Sequence, residues 1–181
     1  ALQSVTMPNG ITEIGDGAFQ SCTSLQSVTL SNSITEIPDG AFLSCSALTD
    51  IQLGDQITKI GRMAFAYCTS LTDMDTMTDL GYLAFVGCRN LKTIDISANH
   101  PTYQLQDDVL YSKDGTELFL YPAGKTGTSF TVPDGVKTIS DGAFFAAPLQ
   151  SVTLPEGLEW IGSGAFDYCT SLTNITIPES V

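Results

Sequence analysis

The eleven residues GDGAFQSCTSL at 15–25 return as PDGAFLSCSAL at 38–48, GRMAFAYCTSL at 61–71, GYLAFVGCRNL at 81–91 and GSGAFDYCTSL at 162–172. A degenerate copy, SDGAFFAAPL, occupies 140–149. Phe19, Phe42 and Phe65 are spaced 23 apart, Phe85 follows 20 later, and Phe144 and Phe166 are separated by 22. A fixed period in this range marks a solenoid, in which each unit buries its apolar face only against its neighbours. A length of 181 residues suits one large or two small domains, but an array of coils offers no boundary at which to divide. The expectation is therefore a single array over 1–181, with N-terminal coils at 1–96, an insertion at 97–131 and C-terminal coils at 132–181.

Within one coil the apolar positions are Leu2, Val5, Met7, Ile11, Ile14, Ala18, Phe19 and Cys22, and the next coil repeats them as Leu25, Val28, Leu30, Ile34, Ile37, Ala41, Phe42 and Cys45. The alternation in LQSVTL predicts a short strand whose Ser and Thr point away from the core. Turns such as Pro8–Gly10 and Pro155–Gly157 end it, and a second extended piece, ITEI, follows. Asp16, Asp39 and Asp141 then stand where they would cap a turn or two of helix that carries Ala, Phe and Cys inward. Stacking such coils gives an α/β solenoid: a parallel sheet along one side, with strands centred on Val5, Val28, Ile51, Met74, Ile94, Phe130, Val152 and Ile175, and short helical turns on the other.

Cys22, Cys45, Cys68, Cys88 and Cys169 share one repeat position, so packing accounts for them before chemistry does. Their number is odd, and neither non-equivalent pairs nor Cys-x-x-Cys or Cys/His groupings occur, which points to buried free thiols. A bridge between neighbouring coils is the other reading.

The period fails between Phe85 and Phe144, 59 residues apart. Inside the gap, DVLYS and TELFLYP flank Lys113-Asp114-Gly115, a strong short-range hairpin signal. Tyr103, Tyr111, Phe119, Tyr121 and Phe130 make this insertion aromatic, and two roles stand open for them: closing over a longer coil, or forming a recognition edge.

The net charge of −13 and only seven Lys and Arg residues argue against nucleic acid, whose phosphates are neutralised by cations, and against anionic membrane surfaces. No apolar run approaches the roughly 18 residues of a membrane span. The opening ALQSV matches SLQSV at 24–28, and the closing IPESV stops where a further coil would begin, which suggests a fragment of a longer array.

The pattern L-x-x-I-x-[LI]-P-x-x-[VI]-x-x-I-G-x-x-A-F-x-x-C resembles the leucine-rich repeat of BspA-like, or Treponema-type, surface proteins, and VLYSKDGTELFLYPAG followed by VPDGVKTI resembles an interruption that recurs in that family. The chain departs from the pattern at MDTMTDLG, three residues short, and at FFAAPL, which lacks the Cys. The resemblance implies a right-handed curved leucine-rich-repeat coil on or outside the bacterial cell surface, with adhesive roles toward host matrix proteins or other cells; the partner expected for this chain is a protein, of the host matrix or another surface, or a glycan. The family motif is a scaffold motif, so it assigns no ligand residues.

Catalysis finds little footing. The single His, His100, lies beside Pro101 in a loop segment, no Ser is marked as a nucleophile, and the GDGAF turns lack the Lys of a phosphate loop. No cofactor is expected. The outward strand positions, Gln52 among them, are more informative: Asp50, Asp73, Asp75 and Asp95 should gather as an acidic cluster on the sheet, either as a solvated face, as a site for a basic partner segment, or as oxygen ligands for a divalent cation. Trp160 takes the coil position held elsewhere by Glu13, Glu36, Lys59, Asp79 and Thr138, and should face solvent. These residues, with Tyr111 and Tyr121 of the hairpin, form the expected partner-contact set. A non-enzymatic interaction module follows from this reading; a structural spacer that presents another domain is the alternative.

Overall fold

A computed structural model describes every residue of the chain except 55, 75–78 and 97. Two compact units, Ala1–Ser97 and Ala98–Val181, are each built from stacked coils.

In the first unit, strands Ser4–Thr6, Ser27–Thr29 and Asp50–Gln52 form one parallel sheet, with Val5, Val28 and Ile51 facing each other across it. Asp73–Met74 pairs in parallel with Thr93–Ile94. A second row of two-residue strands follows from ITEI and its counterparts: Glu36–Ile37, Lys59–Ile60 and Asp79–Leu80. Nine residues separate Asp50 from Lys59 but six separate Asp73 from Asp79, so the shortened coil loses its three residues between its two strands.

Val28 and Ile37, the inward residues of the two rows in one coil, are buried with Ile34, Leu48 and the rings of Phe42, Phe65 and Phe85. Phe19, Phe42, Phe65 and Phe85 stack at centroid separations of 5.4, 5.4 and 5.6 Å with planes within 7° of parallel. Those separations exceed the roughly 4.8 Å between strands, so the rings slide into the offset arrangement that aromatic quadrupoles favour.

The helical turns expected after each Gly-Asp-Gly do not form; the described residues contain no helix. The backbone explains why. Gly17 and Ser21 both have left-handed φ (62° and 60°), as do Gly40 and Ser44 in the next coil, and no right-handed helix passes through such a pair four residues apart. Amides alternate instead. Ala18, Gln20 and Cys22 donate to carbonyls three residues back, while Gly17, Phe19 and Ser21 donate to Asp39, Ala41 and Leu43 of the following coil at 2.7–2.9 Å. This side of the array therefore carries its own coil-to-coil ladder. Two of the three aspartates expected to cap helices serve the same ladder: Asp39 Oδ1 accepts the Arg62 amide at 2.7 Å, and Asp141 accepts that of Ser163. Coils approach so closely here that a Cβ on Gly81 would lie 2.3 Å from the Gly61 carbonyl carbon.

In the second unit, Val109–Ser112 and Glu117–Leu120 form the expected antiparallel hairpin. A strand that the sequence reading left out, Tyr103–Gln106, pairs with Val109–Ser112 through a two-residue turn at Asp107-Asp108, both left-handed (φ 50° and 58°). Glu117–Leu120 then runs parallel to Thr138–Ile139, and that to Trp160–Ile161, so within this unit the hairpin and these two strands make one sheet. A separate pair in the same unit sets Ser129–Thr131 beside Ser151–Thr153, with one isolated bridge from Ser151 to Asn174 where a strand about Ile175 was expected.

Candidate interaction surface

The outward strand side chains stand in register. Ser4, Ser27 and Asp50 form one file, and Thr6, Thr29 and Gln52 a second. Asp50 and Gln52 are exposed. Asp73 faces Thr93, and each of its carboxylate oxygens accepts one hydroxyl: Oδ1 that of Thr93 at 2.6 Å and Oδ2 that of Thr72 at 2.7 Å. The Thr93 hydroxyl, then that of Thr72, holds the Asp73 carboxyl below the usual range. Asp95 is exposed, its amide bonded to the Met74 carbonyl at 2.8 Å. Asp75 lies outside the described residues. The described strand pairs thus set Asp50 beside Ser27 and Asp73 beside Thr93, acid against hydroxyl. Among the described residues no group of three or more acidic, His or Cys side chains is arranged to hold a metal ion.

Trp160 is 62% exposed, beside Thr138, where the repeat register put it. The two tyrosines of the expected contact set are different. Tyr111 and Tyr121 are 3% and 2% exposed and belong to the core of the second unit, which removes them from the surface. Tyr121 occupies the Phe position of the hairpin coil. Its ring stacks on Phe144 at 5.4 Å and its amide donates to Ala143 as the Phe19 amide does to Ala41. An aromatic at the Phe position is a core residue even when the spacing around it has changed.

All five cysteines are free thiols. Burial pushes Cys45 up to about 11 and Cys88 up to about 12, and raises Cys68 and Cys169, so none of these four is poised as a nucleophile. His100 is buried as well. Its Nδ1 accepts the amides of Thr102 and Tyr103 at 3.2 and 3.1 Å, and its ring lies 5.0 Å from that of Tyr103. It ties down the segment that enters the hairpin.

The BspA-type leucine-rich repeat model matches residues 1–113 and 123–181 in six copies. The chain belongs to the BspA-type leucine-rich repeat family. Among solved structures, the pneumococcal vaccine antigen PcpA is similar to 99% of the chain at 25% identity, with a TM-score of 0.79. The chain spans about half, 51%, of that antigen's length. A leucine-rich cell surface protein of Faecalibacterium prausnitzii matches 99% of the chain and 68% of its own length at 27% identity, TM-score 0.72. A leucine-rich repeat protein of T. pallidum shares the fold at 22% identity and a TM-score of 0.53, over 96% of the chain and 79% of its own length. Among curated protein sequences nothing matches the chain. Among the described residues no helix is long and apolar enough to cross a membrane.

Outside its insertion, this BspA-type array also departs from its own repeat on the turn side, a feature that sequence reasoning missed. Where coil 38–48 has Asp39, Gly40 and Ser44, coil 61–71 has Arg62, Met63 and Tyr67, and coil 81–91 has Tyr82, Leu83 and Gly87. A position-by-position comparison of the coils, applied to Trp160, would have found it had it been extended to these columns.

Proposed function

We propose that the chain is a non-enzymatic, cell-surface or secreted interaction module of bacteria, which binds a protein or a glycan through the outward face of its parallel strands. The observation that carries this reading is the division of labour within each coil. Side chains capable of chemistry, the thiols of Cys45, Cys68 and Cys88 and the His100 imidazole, are buried and hydrogen-bonded in the scaffold, whereas Asp50, Gln52, Asp95 and Trp160 are exposed at positions the scaffold leaves open. Membership of the family and similarity to a leucine-rich cell surface protein support the placement. Fold alone does not name a ligand.

A spacer role is favoured by a different observation: several surface hydroxyls are spent on the array itself, Thr49, Thr58, Thr69 and Thr173 each donating to a carbonyl one coil back at 3.1–3.3 Å. Immobilised matrix proteins and a glycan array, probed with the chain and with an Asp50→Lys/Asp73→Lys variant, separate the two. Capture that charge reversal weakens, with the melting temperature held, supports the module. Absence of capture, or capture indifferent to the reversal, leaves the spacer.

A further inference from the structure

We infer that the turn side of coils 61–71 and 81–91 is a second contact surface, shaped for a protein segment whose apolar side chains are flanked by carboxylates. The inference deepens the interaction-module reading and rests on it.

Every coil that carries the Ala-Phe pair has a left-handed residue at the Gly17 position. Gly40, Gly142 and Gly164 meet the requirement with no side chain, at φ 61–64°. Met63 and Leu83 meet it with long apolar ones, at 51° and 55°. Four residues on, where Ser21, Ser44 and Ala146 are left-handed, so is Tyr67, at 60°. A bulky residue in that region is an outlier that local backbone energetics disfavour. The core does not call for them either: Met63 and Leu83 are half-buried, and Tyr67 and Tyr82 are 42% and 49% exposed. Strain kept where neither backbone nor core benefits points to a use at the surface.

The departures are contiguous. Met63 donates its amide to the Tyr82 carbonyl at 2.9 Å, and the Arg62 guanidinium carbon sits 5.5 Å from the Tyr82 ring centroid. The Tyr67 ring lies against Gly87, where a Cβ would come within 2.5 Å of it; the loss of a side chain in one coil makes room for the aromatic of the previous one. Tyr168 repeats the left-handed tyrosine, at φ 59° and beside Phe145 at 5.0 Å. Its coil keeps Gly164 and carries no arginine, so the full set occurs once.

Arginine fixes the sign of the partner. The chain has two, Arg62 and Arg89, and they bracket this patch, Arg89 being exposed two residues beyond Gly87. Tyr, Met and Arg with few Asp or Ser is the composition of interface cores, and a guanidinium fork at the rim selects carboxylates.

The test uses the whole chain and a four-site variant, Met63→Gly/Tyr67→Ser/Tyr82→Asp/Leu83→Gly, which restores the residues of coil 38–48 at these positions. The probes are arrayed peptides of about ten residues, long enough to lie across two coils: Leu, Phe or Trp flanked by Asp or Glu, the same with Lys for the acids, and the same with Ser for the apolar residues. The acidic-apolar set should bind the native chain, and each control set about tenfold or more weaker. The variant should lose about tenfold or more in affinity for the acidic-apolar set while melting at the same temperature or higher, because left-handed strain is relieved. A variant that melts several degrees lower marks these residues as packing and overturns the inference, as does a variant that binds undiminished or a native chain without preference among the sets. Capture at the sheet face with no peptide preference here removes this surface and leaves the module reading standing.

Discussion

The Cys68 thiol donates to the Phe42 carbonyl oxygen, one coil back, at 3.2 Å. The same oxygen already accepts the Cys45 amide at 3.1 Å, so both lone pairs of a buried carbonyl are used. Cys45, Cys88 and Cys169 repeat the bond to Phe19, Phe65 and Phe144 at 3.0–3.1 Å. Cysteine recurs at this position because it combines a small apolar body with a weak donor.

Cys68→Ala should therefore cost more than its lost volume. We expect about 1–2 kcal/mol, from the cavity and from the carbonyl left with one partner, measured as a fall in urea midpoint. Cys22→Ala is the comparison, since that thiol is half-buried and should cost less. Equal costs would show that the coil-to-coil thiol bond contributes nothing.

Most of the fold was legible because Val28, Ile37, Phe42 and Cys45 recur at fixed spacing, and a fixed spacing in a one-dimensional array is a contact prediction. The KDG hairpin was legible from its turn residues for the same local reason. What the sequence hid was conformational. A Gly-Asp-Gly followed by an apolar residue pair reads equally as a capped helix and as the observed left-handed turn, because the deciding partners, such as the Asp39 carbonyl that receives the Gly17 amide, lie a whole coil away. Tyr103–Gln106 was missed because Asp107-Asp108 is a weaker hairpin signal than Asp-Gly. Of the contact residues, Trp160 was placed by register alone, whereas Tyr111 and Tyr121 were misplaced because the changed spacing of the insertion obscured which coil position each one fills.

Tyr121 should behave as a Phe of the stack. Tyr121→Phe keeps the ring against Phe144 and should melt close to the native chain, whereas Tyr121→Ala and Phe42→Ala should each cost about 3–5 kcal/mol through cavity formation. Thermal melts followed by circular dichroism decide it. A Tyr121→Ala protein as stable as the native one would put that ring outside the core.

Backbone position separates two glycines. Gly40 is left-handed at φ 61° with its nearest side-chain neighbours at 3.9 Å, so Gly40→Ala meets only conformational strain, about 1 kcal/mol. Gly81→Ala drives a methyl into the Gly61 backbone and should cost several-fold more, as overpacking does. Chemical denaturation of both variants orders them, and a Gly81→Ala protein no worse than Gly40→Ala would refute the close approach.

The hairpin turn should weaken in acid. Asp114 Oδ1 accepts the Ser112 hydroxyl at 2.7 Å, the Thr116 amide at 3.0 Å and the Thr116 hydroxyl at 2.8 Å, and these bonds, the Ser112 one foremost, hold its carboxyl down to about 2. A folded-state value below the ordinary 3.8 means that the stabilisation is complete above that pH and is lost as pH falls toward 2. The protection of the Thr116 amide, its exchange rate relative to the intrinsic rate at each pH, should fall over this window in the native chain. Asp114→Asn should remove the pH dependence, and an unchanged profile in that variant would assign it to another group.

The alkaline limb has the opposite sign. Burial lifts Cys45 to about 11 and Cys88 to about 12 from an ordinary 9.0, and Tyr111 to about 12 from 10.0 with a smaller contribution from the Asp107 charge. Below pH 9 these groups are protonated in both the folded and the unfolded chain, and their contribution is fully present. Above it the unfolded chain ionises first, binds fewer protons than the folded one, and stability falls as pH climbs toward the folded-state values. Urea midpoints should therefore drop as pH rises from about 9 to about 11, and Cys45→Ala/Cys88→Ala, less stable at the outset, should show a shallower decline. The buried thiols should also resist iodoacetamide at about pH 8 until urea unfolds the chain. Rapid alkylation of Cys88 in the native state, or an identical slope in the double variant, would place those sulfurs in contact with solvent.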